Sequence, residues 1–466
     1  FEMANIRNQC SWVHSQEKDR ATEKARDLAE MAVTRARNLQ PLPQPTVPVD
    51  SRALVIGGGA AGMTAALGLA EQGFFTYLVE KQDHLGGNAR ALASTRQGEA
   101  IPEGLEAMSE QVRSHGNIEV FTQAEISEAS GFVGNFQTRV NHAGTERDLE
   151  HGAVIIAVGA SEHTPQEYEY GQSDRVLTHL ELDRAFAEKD PRVTQAGSVT
   201  FIQCVGSREP ERPYCSKVCC THSIKAALRF KEMNPETQVY VLYRDIRTYG
   251  QREDLYHEAR RKGVIFIHFD LDTKPVVNQG EKGLDVRVRD HILQRELILE
   301  SDLVVLASAI TRPAEEPLAQ MYKLPVNEDN FFMEAHAKLR PVEFATDGIF
   351  LAGLAHYPKP LEESIAQAQA AASRAATVLS REHYTVEGMV SRVDEALCRG
   401  CGECEQACPY NAIAVEEVEP GQHRARVRAA MCKGCGACAV ACPTGAASVY
   451  NFEEQTILDM VQAALR

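Results

Sequence analysis

Apolar positions at Ala21, Ala25, Leu28, Ala29, Ala32, Val33, Ala36 and Leu39 recur at helical spacing and predict an amphipathic helix. It runs out in Pro41-Leu-Pro-Gln-Pro-Thr-Val-Pro48, whose prolines predict a stiff extended linker. Beyond it the pattern changes to short apolar runs with helical stretches between them. The runs are Ala53–Ile56, Tyr77–Val79, Val154–Val158, Val199–Ile202, Val239–Tyr243, Val264–Phe266, Leu303–Leu306 and Ile349–Leu351. Continuous apolar strands alternating with helices are the pattern of a parallel sheet covered on both faces. An Ala-rich helix from Leu361 to Leu379 closes this region. The last stretch has short segments, dense Cys and Gly, and a duplication: residues 398–415 and 432–449 match at ten of eighteen positions.

The 466 residues are enough for about three domains. With 49 basic and 65 acidic side chains the formal net charge is −16, which argues against a phosphate backbone or an anionic lipid surface as partner. No apolar run approaches the eighteen or so residues of a membrane span, so no direct membrane span is expected. The first residues lack the layout of a secretory signal, which fits a cytoplasmic location. Position 1 is Phe rather than Met, and the chain is expected to begin partway through a longer protein. The thirteen cysteines are clustered, eight between Cys398 and Cys442 and four between Cys204 and Cys220, with Cys10 alone. Clustering of that kind points to metal or redox chemistry rather than to a disulfide framework.

Gly57-Gly-Gly59-Ala-Ala61-Gly62 sits between the strand Ala53–Ile56 and a helix predicted over Met63–Gln72. The first Gly permits a tight turn, Gly59 lets the backbone approach a pyrophosphate, and Gly62 allows helix and strand to pack closely. Glu80, eighteen residues past Gly62, ends the next strand, where an acidic group binds a ribose hydroxyl. Lys81, Gly86 and Gly87 after it, Gly159 closing a later strand, and Gly348-Ile-Phe-Leu-Ala-Gly353 resemble the FAD domain of flavoproteins with two dinucleotide-binding domains. In that family the last segment ends Gly-Asp, and here Leu354 follows Gly353. The helix after Pro358-Lys359-Pro360 can point its N-terminus at a flavin, or can simply pack.

The second α/β unit lacks a Gly-rich turn. Its first strand leads into Gln203-Cys204-Val-Gly206-Ser-Arg208, which makes direct NAD(P)H binding improbable. Cys204, Cys215, Cys219 and Cys220 stand there instead, a set that suits a four-thiolate [4Fe–4S] cluster. Buried free thiols and a redox-active disulfide are the alternatives. In the tail, Cys398-x-x-Cys401-x-x-Cys404-x-x-x-Cys408-Pro and Cys432-x-x-Cys435-x-x-Cys438-x-x-x-Cys442-Pro have the spacing of a two-cluster ferredoxin. In such runs the fourth Cys serves the other cluster, giving the sets Cys398, Cys401, Cys404, Cys442 and Cys432, Cys435, Cys438, Cys408. Zinc sites usually pair two Cys-x-x-Cys knuckles and leave the third Cys and the Cys-Pro without a role.

Together with Cys10-Ser-Trp-Val-His14, the Ala21-Thr-Glu-Lys-Ala25 helix and Tyr357-Pro-Lys-Pro360, these residues resemble HdrA, the iron–sulfur flavoprotein of heterodisulfide reductase, along essentially the whole chain. The resemblance implies FAD, a cluster on the four central Cys, two in the tail, and Leu at the Gly-Asp position. It implies that Cys10 joins one more cluster with residues from a segment preceding this chain, and that Lys225 lies near flavin N5. The expected fold is α/β, with two thioredoxin-reductase-like dinucleotide-binding domains, an α+β two-cluster ferredoxin-like domain and a helical N-terminal segment. The expected divisions are 1–49, 50–165 and 300–384 for the two FAD halves, 166–299 for the cluster-bearing unit, and 385–466. The implied activity is electron transfer with flavin-based bifurcation, or its reverse, between a high-potential acceptor and ferredoxin. The rivals are a plain electron conduit of the benzoyl-coenzyme A reductase or quinone-linked type, and a cofactor-bearing scaffold. Expected partners are other subunits of such a complex, ferredoxin, a hydrogenase or formate dehydrogenase module, and a second copy of the chain.

Overall fold

The computed structural model describes residues 1–314 and 317–465. It divides into Asp50–Arg381 and a second unit made of Phe1–Val49 with Glu382–Arg466.

Asp50–Arg381 contains two five-stranded parallel sheets of one design. The first runs in the order Ile349–Leu351, Ala153–Ile156, Ala53–Ile56, Thr76–Val79, Ile118–Phe121. The second runs Val176–Thr178, Leu303–Ser308, Ser198–Val205, Gln238–Tyr243, Ile265–His268. Their central strands read as unbroken apolar runs because both faces are covered: Ala53–Ile56, Ala153–Ile156 and Leu303–Ser308 are buried at every position. The Ala-rich helices Ala60–Ala70 and Leu361–Leu379 both form as expected, the second with the predicted bounds. Their small side chains let the axes approach, and a Cβ on Gly68 would meet the Ala372 methyl at 3.5 Å.

Each parallel sheet also carries a three-stranded antiparallel sheet that the hydropathy pattern did not disclose. These are Ala124–Phe132, Asn135–His142, Thr145–His151 and Val276–Gln279, Leu284–Asp290, Arg295–Ser301. Only alternate positions of these strands are buried, for example Phe136, Thr138 and Val140, so no continuous apolar run marks them.

Two expectations are corrected. The strand Leu303–Ser308, assigned with the second FAD half, is central in the second sheet, pairing Val199 with Leu303 and Ile202 with Leu306. Its uniform apolarity says that it is buried but not in which sheet. The proline stretch is also more than a linker: Thr46–Pro48 pairs antiparallel with His383–Thr385.

In the smaller unit the N-terminal helix, observed as Lys18–Asn38, packs along Glu454–Ala464. Asn38 Nδ2 donates to Asp459 at 2.8 Å, the Gln40 N–H donates to Asn451 at 2.8 Å, and Arg35 lies 4.5 Å from the Phe452 ring centre. The duplicated Cys runs are braced by Ser391–Val393 against Ala447–Val449 and by the hairpin Ile413–Glu419 with Gln422–Val427. Among the described residues no helix is long and apolar enough to cross a membrane.

Candidate cofactor sites

Gly57 adopts φ +107, and a Cβ there would collide with the Ala157 carbonyl. A Cβ on Gly62 would strike the Gly57 carbonyl oxygen, so helix and turn meet with no room for a side chain. Gly59 differs: its missing Cβ leaves open space, with only Gly87 Cα at 4.0 Å. That opening faces the start of the helix Ala60–Ala70, whose first N–H groups lack partners in the helix. A cradle lined by backbone N–H groups and open at the middle glycine fits a pyrophosphate. The Gly86 N–H donates to the Gly58 carbonyl at 2.8 Å, which folds the Gly86–Gly87 turn beside the cradle. Glu80 is buried, accepting from the Gly58 N–H at 2.6 Å and the Gln82 N–H at 2.8 Å. A carboxylate has lone pairs beyond those two, so a ribose hydroxyl can still be held. Lys81 is exposed.

Gly159 and Gly353 both have positive φ, +70 and +72, and a Cβ on Gly353 would press on the Ala61 methyl at 2.9 Å. The last segment therefore lies against the nucleotide loop. Lys359 is buried, donating to the carbonyls of Gly353 at 2.5 Å and Tyr357 at 3.1 Å. Burial, then the charge of Lys217, brings its ammonium down to about 7. Lys225, on the helix Cys219–Met233, donates to the Ser94 carbonyl at 2.5 Å. Burial lowers its pKa, while the charges of Asp183 and Glu362 support the ammonium form. Glu362 belongs to the first turn of Leu361–Leu379, so Lys225 and that helix start are neighbours.

The second sheet departs from the first at Cys204. The strand bulges between Ile202 and Val205, with Cys204 in a left-handed conformation at φ +63. Gly206 opens no cradle, because its missing Cβ is the place where the His163 ring packs. The four thiols converge instead. Cys219 is pushed well up by burial and then by Cys220, Cys204 and Cys215, and Cys220 is raised to about 11 by burial and by Cys204 and Cys215. A bound cation would relieve the mutual repulsion of their thiolates. Arg208 approaches Cys204 Sγ at 3.9 Å, and Arg244 donates to the Cys204 carbonyl at 3.4 Å. No spacing rule reveals these arginines, since Arg244 arrives from a different strand.

In the tail, one cavity is lined by Cys398, Cys401, Cys404 and Cys442, and the other by Cys432, Cys435, Cys438 and Cys408. The fourth Cys of each run has thus crossed to the other's cavity, and each cavity holds about 330 Å³ of space partly open to solvent. Tetrahedral zinc, with Zn–S near 2.3 Å, would draw sulfurs to roughly 3.8 Å from one another. Among the described residues the only trio closed within 4.8 Å is His268, Asp270 and His291, in which Asp270 pairs with both imidazoles. The wider Cys sets suit a four-iron cube better than a single ion. Backbone N–H groups already face the sulfurs, such as Ala412 to Cys408 at 3.2 Å and Ala425 to Cys398 at 3.4 Å. Burial pushes the Cys442 thiol up, but the Thr444 hydroxyl and N–H groups of Ala447, Thr444 and Ala446 outweigh it and hold the thiol near 7.

Cys10 is 2 % exposed in the turn Arg7–Ser11, and its thiol donates to the Ala21 carbonyl at 2.6 Å.

Comparison with known proteins agrees with this division. Residues 51–197 match the family described as pyridine nucleotide-disulphide oxidoreductase, and residues 397–446 match the 4Fe-4S dicluster domain. Thioredoxin reductase from Lactococcus lactis superposes with a TM-score of 0.50 at 17% identity, covering 71% of this chain and 99% of that one, a likeness of fold. An A-type iron-sulfur subunit of CoB–CoM heterodisulfide reductase from Methanopyrus kandleri is 37% identical, over 90% of this chain and 78% of that protein. The A-type subunit of the H2:CoB-CoM heterodisulfide,ferredoxin reductase from Methanothermobacter thermautotrophicus is 34% identical, over 90% and 77%. A flavoprotein-type nucleotide loop, a thiol-bearing second α/β unit and a two-cluster tail on one chain, with that degree of identity, make this an oxidoreductase of the HdrA family of heterodisulfide reductase subunits.

Proposed function

We propose that this chain routes electrons within a heterodisulfide-reductase-like complex by flavin-based bifurcation or its reverse, serving a high-potential acceptor and low-potential ferredoxin. FAD supplies two-electron chemistry on the Gly57–Gly62 loop, and iron–sulfur clusters supply one-electron chemistry. The residues that would hold them are Gly57, Gly59, Ala61, Gly62, Glu80, Gly86, Gly87, Gly159 and Gly353 for the nucleotide. Two four-Cys sets in the tail and one on Cys204, Cys215, Cys219 and Cys220 would hold clusters, and Cys10 would share a further one with residues outside this chain. Lys225 and Lys359 would place positive charge beside the flavin and hold its reduced, anionic form.

The observation that carries this reading is the second α/β unit. Where a pyridine nucleotide would need an open glycine turn, Gly206 is filled by His163 and four thiols converge. Thiolate-bound iron in that place gives a one-electron exit, where a nicotinamide would give a two-electron one. Other subunits of the complex, ferredoxin, a hydrogenase or formate dehydrogenase module and a second copy of the chain are the partners this reading assigns, in the cytoplasm.

The test is an anaerobic potentiometric titration of the purified complex, following flavin absorbance and EPR together. Bifurcation requires the flavin to change by two electrons in one wave with no paramagnetic flavin signal. A strong flavin radical signal over a wide potential range overturns it and leaves a one-electron conduit. Full complex activity in Lys225→Ala and Cys219→Ala, with assembly intact, would reduce the chain to a scaffold.

A further inference from the structure

The two tail cavities correspond under a shift of 34 residues, which carries Cys398 onto Cys432. The correspondence extends to what lines them. Val393 answers to Val427, Arg399 to Lys433 and Ala446 to Ala412, so the nearest formal charge is the same in both. The backbone donors correspond as well: the Ala425 N–H donates to Cys398 Sγ at 3.4 Å, and the Ser391 N–H donates to Cys432 Sγ at 3.3 Å.

The symmetry breaks at the side chain of that donor residue. Ser391 places its hydroxyl 3.1 Å from Cys438 Sγ, and the residue is 4 % exposed. Its counterpart Ala425 has nothing to offer Cys404, the counterpart of Cys438. The Ser391 hydroxyl also lies 3.0 Å from the Ser448 carbonyl, so one proton faces two acceptors. With Cys438 as an iron-bound thiolate its sulfur can only accept, and the charge on it makes it the stronger of the two. The other cavity has a hydroxyl in Thr444, which stands 3.6 Å from Cys442 Sγ on an exposed residue and so serves Cys442 rather than Cys404.

A hydrogen bond to a ligand sulfur draws negative charge off the site and favours the more negative, reduced state. We propose that the Ser391 hydroxyl raises the potential of the site on Cys408, Cys432, Cys435 and Cys438, an aid to reduction that Ala425 does not give Cys404 in the other set. The inference rests on the crossed ligand sets given above. It assigns a role to the hydroxyl alone, since the Ser391 backbone donor survives replacement by Ala.

The test uses the full chain with its clusters in place, titrated anaerobically by EPR with iron and sulfide analysis of every variant. Ser391→Ala is expected to lower one midpoint potential and leave the others where they were. The expected size is a change of about tenfold in the reduced-to-oxidised ratio at fixed potential, roughly 59 mV for one electron. Ala425→Ser is expected to raise a different midpoint, and it stands as the independent arm if Ser391→Ala loses its cluster. Unmoved midpoints in both variants at full iron content would mean that a hydroxyl at this position does not tune a cluster, and the proposal falls. Cys408→Ser should abolish the wave that Ser391→Ala moves. If Cys442→Ser abolishes that wave instead, the crossed ligation fails while the tuning by Ser391 stands.

Discussion

The two parallel sheets of Asp50–Arg381 share the order of four of their five strands, one attached antiparallel sheet and one helix after the strand that leads into the site, yet they end in different chemistry. At the first, Ile56 passes into Gly57, Gly59 is left open, and a nucleotide loop results. At the second, the strand bulges, Cys204 takes the left-handed conformation, and the space at Gly206 belongs to His163. Nothing in the sheets themselves forces this difference. A few residues at the carboxyl end of one strand decide whether a fold presents backbone N–H groups to a phosphate or thiols to a metal, which is why fold alone does not state function.

The contrast is most easily broken at the glycine that tolerates nothing. Gly62→Val should abolish flavin binding and destabilise the unit by about 3 kcal/mol or more, because its Cβ collides with the Gly57 carbonyl. Flavin content after gel filtration and a thermal melt would check this. Gly206→Ala, meeting a movable imidazole, should keep its flavin.

Cys219→Ser should next remove about four irons per chain while flavin content stays unchanged, if the second sheet carries a cluster independently of the first. Equal loss of flavin and iron would show that the two ends are one site.

Acid should separate the halves further. His151 ends an antiparallel strand beside the first sheet, bonded to Thr138 Oγ1 at 2.9 Å and stacked on Phe136. At the matching place beside the second sheet stands Ser301, 2.7 Å from Thr200 Oγ1. Burial drives the His151 imidazole down to about 3. Its folded pKa lies below its unfolded one, so the contribution is whole above about pH 6.5 and is lost as pH falls toward 3. The loss should reach about 3 kcal/mol by pH 4.5 and roughly 5 kcal/mol below pH 3. Chemical denaturation from about pH 7.5 to 4.5 should show it, and His151→Gln should flatten that slope even while lowering the plateau.

The smallest effect is expected at Lys225. Lys225→Met should leave flavin content intact and lower the two-electron flavin potential by about 30 mV, since a positive charge near the ring is removed. An unchanged potential would place Lys225 outside the first sheet's chemistry.

Much of this was legible beforehand, and the reason differs by element. Buried parallel strands announce themselves as apolar runs, and Leu361–Leu379 has the bounds its pattern predicts. The crossing of Cys408 and Cys442 between cavities is the one expected from the two-cluster ferredoxin spacing. The half-buried sheets Ala124–His151 and Val276–Ser301 were illegible, since one of their faces is polar. Arg244 beside Cys204, and Ser391 beside Cys438, depend on residues brought together by the fold. A local motif carries no trace of a neighbour that arrives 47 positions away, as Ser391 does at Cys438.

The pairing of Thr46–Pro48 with His383–Thr385 has a consequence for how the chain is made. The smaller unit is discontinuous, its first part emerging from the ribosome some 330 residues before its second. The helix Lys18–Asn38 meets Glu454–Ala464 only after residue 382 onward is synthesised. Asp50–Arg381 can fold in that interval, and doing so brings residues 50 and 381 to fixed positions. Loop closure for the smaller unit then costs far less than joining the ends of an unfolded chain of that length. Folding of Asp50–Arg381 would therefore set the timing for the unit that carries the duplicated cysteine runs.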